Sequence, residues 1–302
     1  MSYRRRASPL HSARAAAGCA YCFALGCAAL ILSNPIALGA VVLALLGAGA
    51  GAGVWREIRR AALFALPLAL MIVVVNALVS RDGLTVIARL GDLPVLGNTD
   101  VTLEATAYGA ILGLRAVGLI LAGALYTAAV DPDEVLRLFR RVSFRSALTA
   151  TLATRMVPVL LRDSRRFADA QRCRPGPPPS RVALMRAASS GVLDRALDVA
   201  AALEVRGYGS ARRPPRSRRP HSRHDLEFGG SAVAVLGLAI VTRVADLAPF
   251  QAYPAMRAPA GASVLAVAGA ILVCALLPFA DRRGIGRPGA LSRSGGLREV
   301  SR

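Results

Sequence analysis

The amino-acid sequence predicts an all-α integral membrane protein with about six transmembrane helices and a polar helical region inserted between the fourth and fifth. Three observations predict it. Hydrophobic residues make up 54% of the 302 residues. They come in six long blocks, each approaching the roughly 20 residues a helix needs to cross about 30 Å of hydrocarbon. The arginines, finally, are spread unevenly around those blocks.

The blocks are residues 14–32, 36–54, 61–80, 104–130, 228–245 and 262–280. Only Ser33, Asn34 and Pro35 separate the first two, which predicts a tight helical hairpin or a partly tilted pair. The fifth is diluted by glycines and carries Arg243 near its end. The resulting organisation is an N-terminal tail (1–13), four transmembrane helices (14–130), a polar helical region (131–209), a basic Pro/Arg-rich tether (210–227), two transmembrane helices (228–280) and a C-terminal tail (281–302).

Net charge is +20, and the chain contains no lysine. With six spans and a cytoplasmic N-terminus, the inner side receives Arg4, Arg5, Arg6 and Arg14, the Arg56, Arg59 and Arg60 group, the 131–227 region and the C-terminal tail. Only Arg81, Arg89 and Arg257 fall outside. This positive-inside asymmetry predicts a multi-pass protein of the cell membrane with both termini cytoplasmic. It accounts for the charge without a nucleic-acid partner, since no base-stacking aromatics interleave with the arginines. Arg4 to Arg6 before an apolar run imitates a secretory signal, but a second apolar block follows at once, which predicts a retained cytoplasmic end. Cys19, Cys22 and Cys27 lie in the first block among Ala, Leu, Gly and aromatic residues. Without polar supporting groups they read as small packing residues, and neither metal nor cofactor is expected.

Asp131, Pro132 and Asp133 form a helix start, with Asp131 as N-cap and Pro132 at the first helical position. The following EVLRLFRRV sets Val135, Leu138 and Phe139 against Arg137, Arg140 and Arg141, a short amphipathic helix suited to a membrane surface. A second helix is predicted from Phe144 to Cys173, about 45 Å long. Pro158 should kink it, dividing an apolar half from a charged half. It stops at Arg174, Pro175 and Gly176, where PGPPP forces a turn. A third helix, Ser180 to Arg206, closes on Gly207, which suits a left-handed C-cap. The ARRPPRSRRPHSRH tether that follows has no apolar periodicity and is expected to rest on anionic lipid. His221 and His224 within it have the spacing of metal ligands but read as solvated.

A helix start at Asp-Pro, a long helix carrying TRMVP and AQRCR, and a third ending EVRGYG, all after four spans, resemble the transmembrane T component of energy-coupling factor transporters. That family includes the cobalt-uptake permease CbiQ. His11, the Asn34–Pro35 pair, Asn76 and the GLR of Gly113 to Arg115 add to the likeness, which covers residues 10 to 280. The resemblance implies a non-catalytic subunit that couples two cytoplasmic ABC-type ATPases to a small, membrane-embedded S component for vitamin or transition-metal (cobalt or nickel) uptake. It further implies that Arg174 and Arg206 end two coupling helices, each inserted into a groove of one ATPase, with Gly207 ending the second. Cys173 and Val205 stand where alanine is usual, and Pro175 separates Arg174 from Gly176, a departure from the family's first motif. Arginine suits such a role physically, because its planar, permanently charged fork binds carboxylates and carbonyls bidentately.

Within the fourth span, Arg115 is a costly intramembrane charge. It is expected to face the bundle and meet an acidic residue or backbone carbonyls. The alternatives are a membrane enzyme acting on lipid at the cytoplasmic face and an autonomous secondary transporter. An enzyme would want carboxylates or a histidine on one rigid face, yet Asp163 and Asp169 diverge around their helix and no histidine flanks Asp194 or Asp198. An autonomous carrier would be expected to show repeated halves, which a four-plus-two arrangement lacks.

Overall fold

The computed structural model describes residues 6–79, 85–93, 97–139, 144–173, 181–207, 222–250 and 261–281. In chain order its elements are α1 (Pro9–Ser12), α2 (Ala15–Ile31), α3 (Pro35–Gly51), α4 (Trp55–Val79), β1 (Val86–Leu93), β2 (Gly97–Thr102), α5 (Leu103–Ala129), α6 (Pro132–Phe139), α7 (Phe144–Cys173), α8 (Arg181–Val205), α9 (Arg223–Val244) and α10 (Ala262–Leu276), which tightens into a 3-10 turn at Leu277–Phe279. The chain divides into two compact units, residues 1–135 with 221–302, and residues 136–220.

The first unit is the predicted helical membrane bundle. By length and composition α4, α5, α9 and α10 with its turn can each cross a membrane, while α2 and α3 are apolar but only 17 residues long. Their connection explains why so short a pair suffices. The Arg115 guanidinium donates to the Leu32 carbonyl at 3.1 Å. Arg115 lies twelve residues into α5, so α2 ends roughly 18 Å along its longer neighbour. The turn is buried, with Leu32 2% and Asn34 1% exposed. Asn34 accepts from the Ile36 amide at 2.9 Å and so caps α3. Irregular backbone at such depth persists because protein encloses it and polar groups close it.

Around α2 the core assembles from α9, α5 and α3, with α10 packed on α3 and α9. Tyr21, fully buried, stacks edge to face with Phe228 and Phe279, at centroid distances of 5.3 and 6.1 Å, and donates its hydroxyl to the Ala275 carbonyl at 2.7 Å. Such a ring cluster joins large apolar area to a satisfied polar tip. Packed chiefly on α5, α4 has 11% of its apolar window buried against 44% for α5. The two approach closely through small residues. A Cβ at Gly109 would stand 3.0 Å from the Val73 Cα and one at Gly113 3.0 Å from the Ala69 carbonyl oxygen, so any larger residue would push the two backbones apart by a few tenths of an ångström.

Several chain ends meet at one end of this bundle. Arg6 pairs with Glu57 at 2.6 Å and donates to the Gly53 carbonyl, α1 packs on α9 and the 3-10 turn, and Gly51 abuts Phe279. The N-terminal segment, the α3–α4 connection and the end of α10 therefore share a face, as an even number of passes requires.

The structure adds to or amends the sequence reading at four points. Between α4 and α5 stands an antiparallel hairpin, β1 with β2, that helical periodicity could not reveal; its register sets Arg89 opposite Asp100. Residues 8–13, expected as tail, fold into the first unit, with Leu10 and His11 buried, because Ser8 caps α1. Starting at Arg223, α9 takes in the end of the expected tether, since the Asp225 carboxylate accepts from the Ser222 amide at 2.9 Å. His224 consequently is not solvated: it is 6% exposed and pairs with Glu227 one turn on.

The second unit contains α7, α8 and the end of α6. Their bounds agree with the predicted helices to within a residue or so. The Asp131 carboxylate accepts from the Asp133 amide at 2.9 Å, the capping expected of the Asp-Pro start. Running through Pro158, α7 has the Arg162 side chain donating to that residue's carbonyl. None of the second unit's described side chains is buried.

Candidate functional site

The two helices of the second unit touch through an ion pair between Asp163 of α7 and Arg195 of α8. Each partner lies ten residues, or about 15 Å, before the carboxyl end of its helix, at Cys173 and Val205. Half-exposed pairs of this kind contribute at most about 1 kcal/mol, so this one sets geometry more than stability. At about 100° per residue, Leu193 and Leu197 lie roughly 160° around α8 from Arg195, turned away from the ion pair. Leu161 of α7 is displaced comparably from Asp163. All three leucines are exposed, by 64%, 66% and 56% respectively. Both helices thus carry apolar side chains with nothing over them.

At the carboxyl end of α8 the chain closes as its glycine predicts. Gly207 takes φ +76°, the left-handed region, and its amide donates to the Glu204 carbonyl at 2.8 Å. Arg206, whose amide donates to Ala202 at 3.3 Å, is exposed and makes no ion pair among the described residues. Val205 beside it is 89% exposed. A five-donor cation on a rigid helix end, next to a bare apolar side chain, is equipped to enter a groove lined by acceptors. Of the first motif, Cys173 is described and exposed at the end of α7. Arg174, Pro175 and Gly176 lie outside the described residues, as do the tether through His221 and the chain after Asp281.

Elsewhere the structure gathers residues that the sequence singled out separately. Asn76 of α4 stands where Gly109 approaches, one helical turn from Gly113, and donates to the Ile72 carbonyl at 2.9 Å. Arg115 meets a backbone carbonyl, one of its two expected partner types, and its Nε is buried without a hydrogen bond. Cys19, Cys22 and Cys27 are free thiols on α2, and no group of three metal-ligating side chains occurs among the described residues.

The profile of the CbiQ cobalt transport protein family matches residues 6–216. The chain belongs to that family. Matching across both units, it joins the bundle and the inserted helices in one pattern, which makes this CbiQ-family protein a component of a membrane transporter. No curated protein matches the sequence.

Sequence reasoning missed three acidic contacts of this family member. Glu134 and Asp225 bind the start of α2, and Glu57 binds Arg6. Glu134 and Asp225 each stand in a helix first turn flanking the polar insertion, a signal that was visible but reads equally as dipole compensation.

Proposed function

We propose that this protein is the coupling subunit of an energy-coupling factor importer. The second unit engages two ABC-type ATPases at its cytoplasmic face, and their ATP-driven movement passes through α7 and α8 to a small S component that binds the cargo in the membrane. The observation that carries this reading is the exposed Arg206 on the glycine-stopped end of α8, within a unit that buries none of its described side chains. Arg174 has the corresponding role at the end of α7, with Gly176, Cys173 and Val205 flanking the two contacts. The Asp163–Arg195 pair, equidistant from both ends, is the crossing point about which the two helices pivot as packed rods.

The termini and the tether lie in the cytoplasm of a bacterium, where the tether's arginines meet anionic headgroups. Cobalt or another divalent transition metal is the cargo that the family description favours, and a vitamin is the alternative. The exposed face of α4 is left for lipid or for the S component. Catalysis of ATP hydrolysis belongs to the partner subunits.

The test is affinity purification of the tagged chain with its partners. Arg206→Glu should remove the ATPases from the purified complex and abolish uptake while membrane insertion is retained. Arg174→Glu should act in the same direction, less severely because of Pro175. Unchanged ATPase recovery in Arg206→Glu would remove Arg206 from the role.

A further inference from the structure

The inserted unit starts at Leu136 and ends at Pro220. Two residues before its start, the Glu134 carboxylate accepts from the Ala15 amide at 3.2 Å. Five residues after its end, the Asp225 carboxylate accepts from the Arg14 amide at 2.6 Å and pairs with the Arg14 guanidinium at 3.3 Å. Entry and exit of the insertion are therefore fastened to adjacent peptide groups at the amino end of one helix, α2. The Asp225 side chain is 8% exposed, so its bonds face little competition from water.

The opposite end of α2 is held as well, by Arg115 on the Leu32 carbonyl, and its middle by Tyr21 on the Ala275 carbonyl. Charge-assisted bonds at both ends make α2 a strut within the first unit. A helix so held moves as a body, not by bending. Orphan amides at a helix start need acceptors in any protein. Here both acceptors come from the two junctions of one distant insertion, 119 and 211 residues away in sequence.

Resting on the coupling role proposed above, we infer that Glu134 and Asp225 are positioning residues. They form a double clamp that conveys displacement of the inserted unit's two ends to α2, and through α2 to the bundle. Neither touches an ATPase or cargo. Glu134 is the cleaner probe, because Asp225 also caps α9.

The experiment uses the full chain, alone and assembled with its ATPases and S component, with radiolabelled Co2+ as the uptake probe. In the chain alone, Glu134→Ala and Asp225→Ala should speed hydrogen–deuterium exchange at the Arg14–Ala15 amides by about tenfold, the loss of one bond. In the assembled transporter, Glu134→Ala should leave ATPase recovery and ATP hydrolysis within about twofold while uptake per complex falls about tenfold. Glu134→Asp, which keeps the charged acceptor, should recover part of the uptake. Unchanged amide exchange would overturn the clamp. Faster exchange with unchanged uptake per complex would make it merely structural and overturn its coupling role. Should the wild-type chain recover no ATPase, the coupling reading itself fails and takes that role with it, while amide exchange still decides whether the clamp exists.

Discussion

The membrane bundle and the inserted helices are both built mainly of α-helices rich in alanine and leucine, yet they use their apolar and charged residues in opposite ways. In the bundle, Tyr21, Leu25, Leu38 and Phe228 are fully buried, and described arginines such as Arg6 and Arg14 end in ion pairs. In the inserted unit Leu161, Leu193, Leu197 and Val205 stand open, and the ion pair of Asp163 with Arg195 joins its own two helices. Helix formation therefore says little about where stability resides. The first unit has a buried core of its own, even though outer faces such as that of α4 stand open, whereas the second buries none of its described side chains, and on that difference the proposed docking role rests.

Substitutions should expose that difference in graded fashion. The largest effect belongs to the bundle core: Tyr21→Ala removes a ring packed on Phe228 and Phe279 and should cost about 3 kcal/mol, read as a lowered Tm in detergent. Gly113→Leu forces a side chain against the Ala69 backbone and should cost about 1–3 kcal/mol, seen as loss of monodisperse protein. A bundle that tolerates both without change in Tm would not have the packed core described above. In the inserted unit, Leu193→Ser with Leu197→Ser should alter stability by no more than about 0.5 kcal/mol while weakening ATPase or S-component recovery. A large fall in Tm there would mean those leucines are already covered. The smallest effect is expected of Asp163→Asn, at most about 1 kcal/mol, with any uptake defect exceeding the change in stability.

The helical plan was legible because its causes are local. Asp131 and Pro132 start α6, Gly207 stops α8, and each apolar block became a helix. What escaped depends on partners far away in sequence. The β1–β2 hairpin needs pairing across a turn, the burial of His224 needs α9 to begin five residues early in the supposed tether, and which carbonyl Arg115 meets is settled only by a residue 83 positions away. For the site, the Arg206–Gly207 end could be read from its motif, whereas Glu134 and Asp225 gain their meaning only when Arg14 and Ala15 arrive beside them.

The most direct test of the contrast between the units is hydrogen–deuterium exchange of the whole chain, alone and bound to its ATPases. Protection on binding should concentrate in residues 144–207, strongest toward the ends of α7 and α8 around Cys173 and Arg206, with α2, α3 and α5 already slow in both states. Protection confined to the bundle, or none at the α8 end, would contradict the assignment of the inserted helices as the docking element.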